Sequence, residues 1–308
     1  MKAVQITRHG HVDAVKIVDI EKPKAGKGNV LIKVYASCIN PIDIKIREGA
    51  VPNIAFPFTL GSDVAGVVTE IGEGVESIAI GNKVYGQAIA LAGASGAFAE
   101  FASVPAGMLA KMPKNLDFNH AGAAVLTGTS AVQALLEHIK LQPGQKILIH
   151  GAAGGIGTIA IQIAKHIGAY IATTATGEGI DYVKKLGASE VIDYKHQAFD
   201  EMLQGYDAVF DTVGGQTYEK SFKILKRGGI IVSMVAAQNQ KLADEHGVSA
   251  ISQWTKVTTR NLNMLTKFIE DSIVRVHIDK IYSFDRIKEA FEEQESGNVN
   301  GKIVIAIH

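Results

Sequence analysis

In residues 150–169, "HGAAGGIGTIAIQIAKHIGA", a cluster of glycines precedes an amphipathic run. Apolar residues at positions 156, 159, 160, 163, 164 and 167 recur at the spacing of one helix face. The preceding "QKILIH" has the composition of a short buried strand. A strand, a glycine turn and a helix in this order predict a helix N-terminus that can bind a pyrophosphate.

The glycine turn aligns with the dinucleotide-binding pattern G-x-G-x-x-G over residues 152–157, with Ala152 in place of the first glycine. Gly154 would let the backbone approach the pyrophosphate, and Gly157 would let the helix pack closely on the sheet. Glycine turns also open many α/β helices for packing reasons alone. The position between a strand and a periodic helix favours nucleotide binding.

The residues after the second strand bear on the choice between NAD and NADP. An acidic residue about 20 positions after the glycine turn would bind the ribose 2′-hydroxyl group, but Thr174 stands there. Glu178, slightly later, is explained as a first-turn helix charge. The absence of a carboxylate at 174 permits a 2′-phosphate, although the loop contains no arginine or lysine to bind it. Tyr194 and Lys195, after the third strand, are candidates for that role.

Composition limits the class of protein. The 308 residues suffice for two domains of roughly 150 residues each. Lysine plus arginine equals aspartate plus glutamate, 31 against 31, so no global charge favours nucleic acid or an anionic membrane. No apolar run approaches the ~20 residues of a membrane span. Cys38 is the single cysteine, which excludes an intrachain disulfide and a multi-cysteine zinc site. We expect a soluble, cytoplasmic protein.

The pattern of predicted secondary structure changes near residue 113. Before it, short strand-like runs punctuated by Gly, Pro and Asn predict a β-rich, barrel-like unit. After "MPKNLDFNHAGA", strands alternate with helical patterns and predict a parallel sheet with crossover helices. From about residue 256, a helix, a strand, a second helix and the final "GKIVIAIH" predict a return to the first region. The stretch "KLADEHGVSAISQ" has no clear pattern.

Several segments together resemble the zinc-independent quinone and enone oxidoreductases of the medium-chain dehydrogenase/reductase superfamily. They are "INPIDIKIREG", "LGSDVAGVVTEIGEGV", "GNKVYG", "LTGTSA", "HGAAGGIG", "LGASEVIDY", "FDTVGG" and "NGKIVIAI". The resemblance spans nearly the whole chain and implies an α/β fold. It implies a chaperonin-10-like (GroES-like) catalytic domain, residues 1–117 completed by 272–308, and a Rossmann NADP-binding domain, residues 118–271. It also implies NADPH as cofactor, bound in the cleft between the domains, and a homodimer.

The resemblance also bears on zinc. The zinc-dependent branch of the superfamily carries ligands at the positions of Asn40, Ser62 and, nearby, Ala123. A catalytic zinc needs three nitrogen, sulfur or carboxylate ligands, and none of these positions supplies one. We therefore predict that the protein works without a metal.

Reduction of an activated C=C bond suits a site that has no Lewis acid. Hydride would reach the β-carbon of an unsaturated carbonyl compound, and negative charge would build on the carbonyl oxygen, where a donor is needed. Lys45 is the candidate donor, and a solvated surface lysine is its alternative. By resemblance, Asn40 lies by the nicotinamide ribose. Tyr85 could line the pocket, although a half-buried strand tyrosine is more common, and Arg47 has less reason than Lys45 to be functional.

The predicted catalytic residues are therefore Lys45, Asn40 and Tyr85. By resemblance, Thr127 packs on the nicotinamide, with a helix N-cap as the alternative. The full predicted cofactor-binding set is Asn40, Thr127, Ala153, Gly154, Gly155, Ile156, Gly157, Thr174, Thr176 and Tyr194.

Two functions remain open from the sequence. The first is an NADPH-dependent reductase of quinones or enones, between which the sequence does not decide. The second is a nucleotide-binding interaction or regulatory protein with vestigial catalysis. Turnover of NADPH with a small quinone or enone distinguishes them.

Overall fold

The computed structural model describes residues 1–297 and 299–308, which divide into two compact units. The first unit comprises Met1–Leu126, Val257–Glu270 and Val276–His308. The second comprises Thr127–Lys256 and Asp271–Arg275. Among the helices of the described residues, none is both long and apolar enough to cross a bilayer.

The strands of the described residues, in chain order, are β1 (Lys2–Ile6), β2 (Lys16–Asp19), β3 (Asn29–Cys38), β4 (Phe58–Thr59), β5 (Asp63–Ile71), β6 (Lys83–Gln87), β7 (Phe101–Pro105), β8 (Leu109–Lys111), β9 (Lys146–Ile149), β10 (Tyr170–Ala175), β11 (Glu190–Asp193), β12 (Tyr206–Asp211), β13 (Leu225–Ser233), β14 (Ser249–Ser252), β15 (Ile278–Ser283) and β16 (Lys302–Ala306).

The α-helices of the same residues are α1 (Pro41–Glu48), α2 (Phe118–Val132), α3 (Gly155–Ile167), α4 (Glu178–Leu186), α5 (Phe199–Met202), α6 (Gly215–Ser221), α7 (Gln240–His246), α8 (Thr259–Glu270) and α9 (Ile287–Glu295).

The second unit is built on a parallel sheet with the strand order β11-β10-β9-β12-β13-β14. Numbered from β9, this is the order 3-2-1-4-5-6 of a Rossmann fold, so the direction of winding reverses between β9 and β12. Leu148, Val209 and Ile231 lie fully buried in its core. The predicted α/β fold is thereby confirmed, and the glycine turn follows the strand at the switch point, where such sheets bind ligands.

The first unit is β-rich, as the sequence predicts. One sheet has the order β15-β16-β3-β5-β6-β8 with β7 added on β3, and a smaller one has the order β2-β1-β4. The last strand returns from the far end of the sequence, since β16 pairs antiparallel with β3 and sets Val304 opposite Cys38. This pairing brings the C-terminal segment to the start of α1, which follows β3.

Two features differ from the sequence-based expectation. The predicted second domain, 118–271, includes α8, but the contacts group α8 with the first unit. The Tyr85 hydroxyl donates to the Leu262 carbonyl (2.7 Å), and the Thr259 hydroxyl donates to that of Leu109 (2.8 Å). The stretch without a clear pattern, residues 241–253, contains most of α7 and all of β14, a four-residue strand too short to show a period.

Candidate functional site

The glycine turn after β9 has the geometry of a ligand cradle. Gly157 is indispensable for packing, because a Cβ atom there would lie 2.5 Å from both the Ala152 Cα and the Gly151 carbonyl oxygen. At Gly154 the only neighbour of an added Cβ within 4 Å would be that same oxygen, at 3.3 Å. Bare backbone at Gly154 therefore borders open space, as a bound phosphate group requires.

Gly151 explains how the turn works without the first glycine of the pattern. Its φ of 64° lies in the left-handed region, and a Cβ there would meet the Thr212 hydroxyl at 2.3 Å. The tight turn is thus made by Gly151, one residue earlier than position 152, to which the pattern assigns the turn glycine.

Helix α3 begins at Gly155 and has 13 residues. The backbone N–H groups of Gly155, Ile156 and Gly157 belong to its first turn, where a helix offers no acceptor of its own. Ala153 and Gly154 precede them, so five of the predicted cofactor-binding residues are consecutive at this N-terminus. The residues present fit a pyrophosphate group, which the N–H groups and the helix dipole would hold.

The neighbouring strand ends are fixed by Asp211, at the end of β12. Its buried carboxylate accepts from the backbone N–H groups of Val213 and Gly214 (both 2.9 Å) through Oδ1. Its Oδ2 accepts from the Ser233 hydroxyl at the end of β13 (2.6 Å). This one side chain therefore holds the loops after β12 and β13 at the edge where an open α/β sheet binds ligands.

The Thr174 side chain, which the sequence predicts to bind the cofactor, is engaged inside the second unit. It is 6% exposed, and its hydroxyl lies 3.1 Å from Nδ1 of the buried His150. The Ser221 hydroxyl donates to the Thr217 carbonyl (2.7 Å), so towards His150 it can only accept, from Nε2–H (3.0 Å). Nδ1 of His150 therefore carries no proton and accepts from the Thr174 hydroxyl. An aspartate at 174 would be buried beside His150, so that substitution cannot report on the 2′-phosphate alone.

We predict that His150 makes the protein sensitive to acid. Burial lowers the pKa of its imidazole from 6.5 to about 4, although the Asp211 charge acts in the opposite direction. As the pH falls, the unfolded chain therefore binds this proton at a higher pH than the folded protein does. The free energy of unfolding decreases between about pH 6.5 and pH 4, by about 3 kcal/mol at most.

Urea unfolding of the wild type and of His150→Gln between pH 7 and pH 4 tests this prediction. The wild type should lose more stability than the variant over that range. His11→Gln, a change at an exposed histidine, is the control and should follow the wild type. Parallel curves for the wild type and His150→Gln would contradict the prediction.

Thr176 and Tyr194 lie at the carboxyl ends of β10 and β11. The Asp193 carboxylate accepts from the Lys195 backbone N–H (3.2 Å) and lies 2.7 Å from Nδ1 of His196, and the Thr176 hydroxyl also bonds to it. Tyr194 is 56% exposed, and Lys195 is exposed as well. The Asp193 carboxylate is therefore engaged by groups of its own turn and by Thr176, whereas the side chains of Tyr194 and Lys195 are exposed.

In the first unit, Asn40 is the centre of a buried polar cluster, which we define as Cys38, Asn40, Asp43, Asp63 and Lys302. The Asn40 amide donates to Asp63 Oδ2 (2.9 Å) and accepts from Lys302 Nζ (2.5 Å). Its backbone N–H donates to Asp43 Oδ2 (2.8 Å), and the Cys38 thiol donates to Asp63 Oδ2 (3.0 Å). Asn40 is 1% exposed, and its role beside the nicotinamide ribose stays a prediction.

The electrostatics of the buried polar cluster are dominated by the removal of charge from water. Burial raises the pKa of the Asp43 carboxyl to about 7, against the Asn40 hydrogen bond and the Lys302 charge. Burial likewise raises the pKa of Asp63, against Lys302 and the bonds from Cys38 and Asn40. Oδ1 of each carboxyl has no hydrogen-bond partner among the described residues. Lys302 is thus the cation on which both acids depend.

The other predicted residues of this unit are placed as follows. Lys45 is exposed on α1, and its ammonium group makes no hydrogen bond or ion pair within residues 1–297 and 299–308. Tyr85 is fully buried, and its hydroxyl bonds to Leu262 and lies 2.9 Å from that of Thr266, so the prediction that it lines a pocket does not fit. Thr127 lies inside α2, which makes the N-cap alternative wrong.

Arg47 links α1 to α9 within the first unit. Its side chain is 0% exposed, bonds to Glu48 Oε1 (2.7 Å) and to the Glu295 carboxylate on α9, and lies over the Phe291 ring. The C-terminal half of α1 is thereby tied to α9.

Sequence reasoning missed Lys302, Cys38, His150 and Asp211. Lys302 had the clearest signal, a lysine that opens an otherwise apolar strand in "GKIVIAI". Within the described residues no group of three or more His, Cys, Asp or Glu side chains is arranged to bind a metal ion.

Comparisons with known proteins agree with this architecture. Residues 26–114 match the family model of the alcohol dehydrogenase GroES-like domain, and residues 186–305 match that of the zinc-binding dehydrogenases. A 2-methylene-furan-3-one reductase of Solanum lycopersicum is 36% identical over 99% of this chain and 79% of its own length. An NADPH-dependent alkenal/one oxidoreductase of Arabidopsis thaliana, described as chloroplastic, is 33% identical with the same coverage.

Among solved structures, a quinone oxidoreductase of Escherichia coli complexed with NADPH matches with a TM-score of 0.91. It is 27% identical, and the match covers 100% of both chains.

Proposed function

Because this chain belongs to the quinone and enone oxidoreductases of the medium-chain dehydrogenase/reductase superfamily, we propose that it reduces the C=C bond of α,β-unsaturated carbonyl compounds with NADPH. Quinones are the second substrate class. The observation that carries the proposal is the glycine cradle at the switch point of the parallel sheet, where Gly154 leaves space beside the N-terminus of α3.

NADPH supplies the hydride when it is bound. The N–H groups of residues 155–157 would hold its pyrophosphate, and the loops fixed by Asp211 border the same edge of the sheet. Lys45 donates to the carbonyl oxygen of the substrate as negative charge builds there, which lowers the barrier more than it strengthens binding.

The surroundings of Lys45 suit an apolar substrate. Ile42 and Ile44 on α1 are half-buried and pack on the same apolar cluster as Val51 and Ile54. The stretches 49–62 and 88–98 contain no charged residue. If these stretches enclose the bound substrate, the exclusion of water would strengthen the effect of a single cation.

The decisive assay mixes the protein with NADPH and a panel of small enones and quinones and follows the loss of NADPH absorbance. We expect turnover of at least one class. Tight NADPH binding without turnover across the panel would overturn the proposal and favour the interaction or regulatory protein.

We predict that NADPH is preferred over NADH and that Lys195 contributes to the preference, together with Tyr194. Lys195→Glu should weaken NADPH binding by about tenfold or more, because it replaces an attraction for the 2′-phosphate by a repulsion. NADH affinity should stay within about threefold, a change below 1 kcal/mol. Dissociation constants from fluorescence titration test this, with Lys241→Glu, a change at another exposed lysine, as control. Equal constants for the two cofactors in the wild type would contradict the preference.

Metal independence also stays a prediction. It rests on Asn40, Ser62 and Ala123, which stand at the ligand positions of the zinc-dependent branch. Activity should survive dialysis against a chelator, and elemental analysis should find no stoichiometric zinc. Activity that is lost on chelation and restored by zinc alone would refute it.

A homodimer is part of the proposal. Strand β14 pairs with β13 and is an edge of its sheet, and Trp254, two residues beyond it, is 70% exposed. An open strand edge beside an exposed aromatic ring supports pairing with a second copy. Sedimentation equilibrium should give the dimer mass for the wild type and a shift towards monomer for Trp254→Ser. A monomeric wild type at micromolar concentration would contradict it.

We further propose a reducing compartment such as the cytoplasm, supported by the buried free thiol of Cys38. The balanced charge supports the absence of nucleic-acid and membrane partners.

A further inference from the structure

Lys302 is a buried lysine for which the proposed reaction has no direct use. It opens β16, is 5% exposed, and its ammonium group donates to the Ile39 carbonyl (2.9 Å) and to Asn40 Oδ1. Both acceptors lie at the junction between β3 and α1. A residue near the end of the chain therefore closes onto the first turn of that helix.

The position is electrostatically unusual. The N-terminus of a helix carries partial positive charge, which disfavours a cation there. Asp43 and Asp63 offset this cost, because both carboxylates are fully buried and each belongs to the buried polar cluster around Asn40. Lys302 and the two acids therefore depend on one another, and removal of Lys302 would leave two buried acids without their cation.

The same contacts fix the Asn40 amide in one orientation. An ammonium group can only donate and a carboxylate can only accept, so Oδ1 must face Lys302 and Nδ2 must face Asp63. With Lys302 removed, Oδ1 loses its donor and the amide can rotate. The backbone N–H of Asn40, which bonds to Asp43, is the next link to α1.

We propose that Lys302 is a positioning residue of the reductase: its ammonium group fixes Asn40 and thereby the first turn of α1, so that this helix presents Lys45 in one orientation. The C-terminal half of α1 is held independently by the contact between Arg47 and Glu295. Only the step from α1 to turnover rests on the proposed function. The anchoring of α1 stands on the contacts alone.

The test uses the full-length protein and the variants Lys302→Met, Lys302→Arg and Lys280→Met. Lys280 lies on the neighbouring strand β15 and is partly exposed, so its variant is the matched control. Hydrogen exchange of peptides covering residues 39–49 is measured by mass spectrometry without cofactor. The kcat and KM for an enone and the Kd for NADPH are measured separately.

For Lys302→Met we expect exchange in residues 39–49 to rise by about tenfold or more, since a buried hydrogen bond to a charged group is lost. The kcat should fall by about tenfold or more, while KM and the Kd for NADPH stay within about threefold. Lys302→Arg, which keeps a donor cation, should recover part of both losses, and Lys280→Met should match the wild type.

If Lys302→Met does not fold, the double variant Lys302→Met/Asp63→Asn, which removes one charge of each sign, replaces it with the same expectations. Unchanged exchange in residues 39–49, or an equal rise throughout the first unit, would overturn the anchoring. Raised exchange with unchanged kcat would overturn its link to turnover. A wild type without reductase activity whose α1 still loosens on substitution would refute the proposed function and leave the anchoring supported.

Discussion

Lys45→Ala should lower the turnover number for an enone by about 100- to 1,000-fold, the usual cost of one lost donor at a developing oxyanion, about 2.7–4 kcal/mol. Lys45 is exposed and its ammonium group has no partner in the described part of the chain, whereas Arg47, two residues further on, bonds to Glu48 and Glu295. Charge develops on the substrate oxygen only as hydride arrives, so the loss should appear in kcat. Steady-state kinetics and NADPH titration of the variant give both constants.

Lys288→Ala is the control, because Lys288 is an exposed lysine on α9. A fall in NADPH affinity with normal turnover at saturation would show that Lys45 holds the cofactor ribose instead. No change in either constant would make it a solvated lysine that complements the dipole in the last turn of α1. Either result contradicts the assigned role.

Glu295→Ala should destabilise the protein by about 1–3 kcal/mol, because buried N–H donors of Arg47 lose their acceptor while Glu48 remains as a carboxylate partner. Arg47→Met should cost less, since it removes the buried charge and keeps most of the side-chain volume over Phe291. Urea unfolding at pH 7 measures both changes.

Glu293→Ala on the same helix is the matched control. Glu293 pairs with the half-exposed Lys280, and loss of such a surface pair should cost below about 1 kcal/mol. If Arg47→Met proved more destabilising than Glu295→Ala, packing of the arginine and not its charge would be the main contribution.

The fold was largely predictable because its signals are local. The strand before Gly151, the glycine turn and the periodic helix α3 follow one another within 25 residues, so period and turn chemistry are sufficient. Strand β14 was missed because four residues show no period, and pairing with β13 is what makes them a strand. The assignment of α8 to the first unit depends on its contact with Tyr85, which no local pattern reports.

The candidate site was predictable only where it is formed by the backbone. Glycines report their own geometry, so the turn at residues 153–157 could be predicted, and its binding of the cofactor stays a prediction. The bond between Thr174 and His150 could not be predicted, because it joins the ends of β9 and β10, which only the pairing of the sheet brings together. Lys302 is 262 residues away from Asn40 in sequence, and only the pairing of β16 with β3 brings them together.

Hydride from NADPH is expected to reach the β-carbon of an enone. This is tested with NADPH that carries deuterium at both C4 positions of the dihydronicotinamide, by locating the label in the product by NMR. We expect a saturated ketone that carries deuterium at its β-carbon, with the carbonyl group intact. Deuterium on the former carbonyl carbon of an unsaturated alcohol, or no transfer of label from NADPH to any enone, would contradict the account.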